Sequence, residues 1–270
     1  MTVFYLLRTF SSLIFVIIMI GVLSASSIHS ETPEQKGYKI AEEASQRDKG
    51  FGHYMAKQIM TLKNRQGQES SREMTVKVLE GKNEGDKSLI IFNSPKDVKG
   101  TALLTHAHLT KDDEQWLYLP ALKRVKRISS SNKAGSFMGS EFTYEDMVSR
   151  ELDKYSYRFI NEESCNDKQC LVLESTPKDK KSGYKRQVAW IDTEHFRTWK
   201  VQYFDLKDSH FKTLITNEYK QFNGKYWRPK NMFMENHLTG KSTLLTWHKY
   251  DFDTTMRKNE FTKVGLKRAR

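Results

Sequence analysis

Tyr219-Lys220-Gln221-Phe222-Asn223-Gly224-Lys225-Tyr226-Trp227 reads as two short strands joined by a two-residue turn. Asn-Gly supplies the pair of positive φ angles that a tight hairpin needs, and apolar or aromatic residues flank it on both sides. The same grammar extends outward. Met74, Val76 and Val78 alternate with Thr75 and Lys77; Tyr155, Tyr157 and Phe159 alternate with Ser156 and Arg158; Phe211, Thr213 and Ile215 alternate with Lys212 and Leu214. Period two is the signature of a strand with one face buried. Further strand-like runs fall at 54–63, 88–93, 115–119, 170–175, 186–192, 199–206, 225–236 and 241–252, separated by turn signals such as Asn64-Arg65-Gln66-Gly67 and Thr239-Gly240. One helix precedes them, over 34–48, with Ile40, Ala41 and Ala44 as its apolar stripe and Gly50 as its stop. Ten or so strands joined mostly by short turns predict a mainly β chain with a few helices, built on one antiparallel sheet, curled or closed.

The first thirty residues differ in kind. Arg8 precedes the apolar run Leu13 to Leu23, and Ser24-Ala25-Ser26-Ser27 follows. A charged start, an apolar centre and a small-residue zone are the parts of an export signal. The run is shorter than the roughly 20 residues of a membrane span, which favours cleavage; Phe4 to Leu7 would lengthen it if the segment stayed as an anchor. The expected organisation is a signal peptide over 1–30 and one domain over 31–270, working in the periplasm, soluble or peripheral. The net charge is +12. Outside the cytoplasm such a charge meets anionic headgroups and surface glycolipids rather than nucleic acid, or merely keeps the protein in solution. Cys165 and Cys170 are the only cysteines. An even count in an exported chain predicts a disulfide, with the polar spacer Asn166 to Gln169 as a hairpin loop that sets the two residues opposite each other on paired strands.

The stretch 129–149 breaks the alternation. It combines Ser129 to Ser131, Gly135 and Gly139 with Phe137, Met138, Phe142, Tyr144 and Met147. Long connections in a compact β domain are functional or disordered, and the apolar content argues against disorder. The expectation is a loop plus a short helix lying over the sheet, with Glu141, Glu145 and Asp146 spaced as on its exposed face, in solvated or capping roles. Catalytic signals are few. His106 and His108 lack the third ligand that even a catalytic zinc requires, so neither a metal nor another cofactor is expected. Gly135-Ser136-Phe137-Met138-Gly139 is not a nucleophile elbow. Three basic clusters remain, the first being Lys123-Arg124 with Lys126-Arg127, the others Lys178 to Arg186 and Lys263 to Arg270. The first suits lipid headgroups or an acidic partner, or is an ordinary charged strand.

Trp116-Leu117-Tyr118-Leu119-Pro120-Ala121-Leu122-Lys123-Arg124-Val125-Lys126-Arg127-Ile128, followed by Gly135-Ser136-Phe137-Met138-Gly139-Ser140-Glu141-Phe142-Thr143-Tyr144-Glu145-Asp146-Met147 and then Trp190-Ile191-Asp192, resembles the outer-membrane lipoprotein-sorting-protein-like family, a branch of the LolA/LolB superfamily. The resemblance extends over roughly 36–270. It implies an incomplete antiparallel β-barrel wrapped over a helical lid, with an apolar cavity. It also implies a non-enzymatic carrier or chaperone for a lipid or acylated molecule, serving outer-membrane lipoprotein or lipid trafficking. The partners implied are acyl chains, an inner-membrane exporter of the resistance–nodulation–division type and an anionic membrane surface. Trp116, Tyr118, Phe137, Met138, Phe142, Met147 and Trp190 are then the expected cavity or lid residues, and Lys123, Arg124, Lys126 and Arg127 the headgroup or partner contacts. The alternative is an envelope adaptor or stress sensor that binds a membrane-protein partner.

Overall fold

The computed structural model describes residues 30–269; the expected signal peptide, all but Ser30, lies outside them. Helix α1 (Pro33–Asp48) begins at a capping box. Thr32 accepts the Gln35 amide, the Gln35 side chain accepts the Thr32 amide, and Pro33 occupies the first turn, so the orphan donors of the helix start are met reciprocally.

Fifteen strands follow: β1 (His53–Lys63), β2 (Glu69–Leu79), β3 (Lys87–Ser94), β4 (Ala102–His106), β5 (Glu114–Leu119), β6 (Arg124–Ile128), β7 (Tyr155–Cys165), β8 (Lys168–Pro177), β9 (Arg186–Asp192), β10 (Thr198–Phe204), β11 (His210–Asn217), β12 (Lys220–Phe222), β13 (Tyr226–Arg228), β14 (Asn231–Asn236) and β15 (Lys241–Asp251). Thirteen form one antiparallel sheet in the order β6-β5-β4-β3-β2-β1-β15-β14-β11-β10-β9-β8-β7. The sheet curls without closing into a barrel. The Asn223-Gly224 hairpin forms as read, with both residues at positive φ, but β12 and β13 stand apart as a two-stranded ribbon. The run 225–236 is broken into β13 and β14 at Pro229, which has no amide to give the ladder.

Two meanders make up this sheet. One runs from β1 to β6, the other from β7 to β15, and a single seam between β1 and β15 joins them, from Met55 opposite Asp251 to Lys63 opposite Ser242. The edges of the sheet are therefore β6 and β7, which are consecutive in sequence. Their connection, residues 129–154, has to travel from one edge to the other.

Period two sorts the side chains onto the faces. Met60, Met74, Val76, Phe92, Leu103, Leu117, Leu214, Met234 and Leu245 gather in one buried cluster with Phe137 and Phe142 of the connection, which defines the inner face of the curl. At the β7 end Ile40 of α1 packs on Tyr157, Leu171, Leu173 and Ile191. On the outer face, Phe261 and Leu266 cover Leu89, Ile91, Leu104 and Trp116; Leu266 comes from a short C-terminal helix, α2 (Lys263–Arg268), within the stretch read as a basic cluster.

Cys165 and Cys170 form a disulfide. The turn is tighter than expected. Asn166 and Asp167 alone make it, both at positive φ, and Cys165 pairs with Lys168 while Cys170 pairs with Glu163. The bond is thus a diagonal staple across a two-residue hairpin rather than a link between opposite residues.

Helix α1 lies very close to the edge strand. A Cβ at Gly37 would stand 2.7 Å from the Phe159 amide nitrogen and 2.8 Å from that of Arg158. Gly37→Ala on an exposed helix would gain up to about 1 kcal/mol from propensity. Here it is expected to lose about 1–3 kcal/mol, because neither backbone can yield. Urea denaturation gives the sign; a stabilised variant would mean that α1 does not pack on β7.

Candidate functional site

The connection from β6 to β7 fills the inner face. Its centre is a small closed loop. The Phe137 amide donates to the Phe142 carbonyl at 2.7 Å, and the Ser140 hydroxyl donates to the Phe137 carbonyl at 2.7 Å. Met138 and Gly139 take positive φ to make the bend, a conformation that Gly139 supplies without steric cost. The loop points two rings inward. Phe137 is 0% and Phe142 2% exposed, with the Phe137 ring 5.8 Å from Phe92 and 5.7 Å from Tyr144. Met138, Tyr144 and Met147 pack at the margin of the same cluster. The short helix expected here is replaced by single 3-10 turns at Ser130–Asn132 and Glu145–Met147 and one bridge between Ser136 and Thr143. The segment bonds to itself through tight turns and this short bridge rather than through a helix.

Bonds to the rest of the chain overturn the solvated half of the expectation for the segment's acids, while Asp146 does cap its own turn through the Thr143 amide. Asp146 is paired with Lys212 at 3.0 Å, with side-chain exposures of 8% and 2%. Asp146 also accepts from the Tyr184 hydroxyl at 2.9 Å and the Thr143 amide at 2.8 Å. Lys212 reaches the Glu141 carbonyl at 3.2 Å as well, and its ammonium lies 4.8 Å from the ring centres of both Tyr184 and Tyr203, within cation–π range. Burial pushes the Tyr184 and Tyr203 phenols well above their ordinary value, and the Asp146 charge adds to it; both stay neutral beside the ion pair. Glu145 accepts from the Ser182 hydroxyl at 2.6 Å and the Gly183 amide at 3.0 Å. Asn236 donates to the Glu141 carboxylate at 2.7 Å, Thr243 accepts the Glu141 amide at 3.0 Å, and Gln115 donates to the Tyr144 carbonyl at 2.9 Å. Arg72 holds the Met138 carbonyl. Strands from both meanders thus grip the crossing segment.

The structure brings Phe137, Met138, Phe142 and Met147 together. It does not bring the other expected cavity residues to them. The alternation of β5 turns Leu117 and Leu119 inward, so Trp116 and Tyr118 lie on the outer face with Phe261 and Leu266. Trp190 lies on the outer face of the second meander with Val172, Trp199 and the disulfide, under the Lys200 ammonium. Lys123 is exposed at a turn, and Arg124, Lys126 and Arg127 are exposed on the edge strand β6, Arg127 reaching Glu114. His106 bonds the Phe261 carbonyl at 2.8 Å and meets Trp116 edge to face, which leaves it a packing role. Lys212 was invisible to the sequence reading. The alternation of β11 suggests Phe211, Thr213 and Ile215 as the buried set, whereas Lys212, Leu214 and Thr216 are buried and Ile215 is exposed. Only knowledge of a buried partner carboxylate could have inverted that phase.

A family model described as an uncharacterized protein matches residues 84–268. Among solved structures, a domain of Vibrio parahaemolyticus named for outer-membrane lipoprotein sorting is 50% identical, covers 87% of this chain and 99% of its own, and superposes with a TM-score of 0.85. A DUF1329 family protein of Desulfovibrio piger is 31% identical over 87% of this chain and 99% of its own, with a TM-score of 0.82. A LolA superfamily protein of Nitrosomonas europaea shares the fold at 20% identity, covering 85% of this chain and 98% of its own, with a TM-score of 0.68. Among curated proteins none matches the chain.

Removing one partner of a buried ion pair leaves the other charge desolvated. Lys212→Met and Asp146→Asn are each expected to cost about 3–5 kcal/mol in chemical denaturation. The double variant should lose less than the sum of the two by about 1 kcal/mol or more, because the pair is removed together. Strict additivity would show that the two groups do not act on each other.

Proposed function

The chain belongs to the outer-membrane lipoprotein-sorting-protein-like family of LolA-type domains, and on that footing we propose that it is a non-enzymatic carrier whose inner face takes up the acyl chains of a lipid or lipidated molecule. The observation that supports this most directly is the nature of the cover. A continuous apolar face contributed by both meanders is covered by a segment with almost no secondary structure of its own, which inserts Phe137 and Phe142 where acyl chains would lie. Fully buried Met60, Met74 and Met234 suit a face that must accept more than one shape, since methionine is unbranched and polarizable. Each methylene buried contributes about 0.8 kcal/mol, so a single long chain offsets the cost of association and of displacing two rings.

In this reading Phe137, Met138, Phe142 and Met147 form the movable cover. The exposed basic residues Lys123, Arg124, Lys126 and Arg127 serve as the contact with an anionic membrane or an exporter of the resistance–nodulation–division type. The carrier works in the periplasm after loss of the leader, in keeping with the disulfide, since such bonds persist in oxidising compartments. No helix among the described residues is long and apolar enough to cross a membrane.

The deciding experiment is hydrogen exchange across 129–149 with and without an acylated probe such as a long-chain fatty acid, read alongside native mass spectrometry of the complex. The expected result is a bound probe and faster exchange of Gly135 to Met147 in the complex than in the free protein. Exchange as slow as that of the sheet in both states, with no bound probe, would make the segment a permanent part of the core and overturn the carrier reading.

A further inference from the structure

Away from the crossing segment, a cleft of 310 Å³ opens between the β12–β13 ribbon and the C-terminal part of β15. Its wall is aromatic. Phe222 lies 5.1 Å from Tyr250, and Trp247 stacks on Tyr250 at 5.3 Å with the planes 19° apart. Its rim is cationic. Lys220, Arg228, Lys230 and Lys249 all line it. Two of these are neutralised, Arg228 by Asp48 and Lys230 by Glu218 at 2.7 Å. Lys220 makes no direct ion pair among the described residues, its charge reaching Glu218 only from a distance, and it shares the ribbon face of Phe222; Lys249 opposes Lys57, on the face of β15 turned away from Trp247. A register shift in the β1–β15 ladder leaves His248 unopposed in this stretch, and bulges of this kind re-aim side chains next to binding sites.

The decisive atom is the indole nitrogen of Trp247. It is buried and finds no acceptor among the described residues. Buried donors are almost always bonded, so such a group asks for an explanation. An acceptor held in the cleft would provide one. The cations specify that acceptor as an anion, and a tetrahedral oxyanion can accept from an indole and an ammonium group at once. Trp247 also packs, with Phe51 and Tyr54, against the apolar cluster of the inner face. An anion in the cleft would therefore sit beside the surface on which an acyl chain would lie.

We propose that this cleft binds the phosphate of a phosphate-bearing amphiphile, with Lys220 and the Trp247 indole as its contacts and the apolar body of the ligand directed onto the inner face. The inference rests on the carrier reading above and adds to it the class of headgroup. It also moves the headgroup away from the basic edge strand, whose side chains lack an aromatic wall and a buried donor.

The test follows the Trp247 indole N–H resonance, identified by its loss in Trp247→Phe, while the whole protein is titrated with dihexanoyl phosphatidic acid, dihexanoylglycerol and inorganic phosphate. Phosphatidic acid is expected to shift that resonance and to bind about tenfold or more tightly than the uncharged dihexanoylglycerol. The exposed-site variant Lys220→Gln should remove about that factor for phosphatidic acid, most strongly at low salt, and leave dihexanoylglycerol unchanged. Equal affinity for the two lipids, untouched by Lys220→Gln, would overturn the cleft while leaving the carrier intact. Inorganic phosphate binding as tightly as phosphatidic acid would overturn the amphiphile in favour of a free-anion site. Phosphatidic acid that shifts Trp247 but leaves hydrogen exchange across 129–149 unmoved would uphold the cleft and count against the carrier.

Discussion

A sheet whose two edge strands are neighbours in sequence obliges the chain to cross it. Here β6 and β7 lie at opposite ends of thirteen strands, and the crossing has two routes, over the outer face or through the curl. It goes through. That single requirement accounts for the irregular structure of 129–154, for the burial of Phe137 and Phe142, and for the concentration of side-chain-to-backbone bonds on the inner face. A segment running roughly across the strands cannot join their ladder, so its amides and carbonyls are met by its own turns and by side chains. Arg72, Gln115, Thr243 and Lys212 reach its backbone from the sheet.

The energetics of the cover are mixed in kind. Its rings are held by burial, which is non-directional and transfers easily to any other apolar occupant. Its acids are held by directed bonds, above all Asp146 to Lys212, and these do not transfer. A buried ion pair adds little stability over a well-packed apolar substitute, but it fixes one arrangement of the segment against sliding along an otherwise greasy surface. The two kinds of interaction also lie at different places. The rings of Phe137 and Phe142 project from the closed loop, while Glu145 and Asp146 follow it in the chain. The loop is thus held by interactions that another apolar group could replace, the acidic turn by interactions that none could.

Much of the sheet could be read from alternation. Met74, Val76 and Val78 are all buried as their period suggests, α1 falls within a residue of its expected start, and Asn223-Gly224 turns where it should. The errors share a cause. Tyr118 and Trp116 look like cavity residues because aromatics dominate the family signature, but period two cannot say which face of a strand is the inner one when both faces are covered. On β5 the outer face is covered by a C-terminal helix that its basic composition concealed. Lys212 fails for the complementary reason. Its polarity argues for solvent, and the carboxylate that draws it inward lies far away in sequence. The same blindness applies to Trp247, whose isolation is a property of its surroundings rather than of its strand.

The seam between β1 and β15 bears on the order in which the molecule assembles. Every other pairing in the main sheet joins strands close in sequence, so each meander can form from local contacts as it becomes available. The seam joins the first strand to the last, and non-local pairings of this kind slow folding because their loop-closure entropy is paid before any contact rewards it. Until β15 is present, β1 is an unpaired edge and the curl does not exist. A chain threaded N-terminus first through a membrane pore would therefore stay open until nearly its whole length had emerged, a property that suits export in the unfolded state.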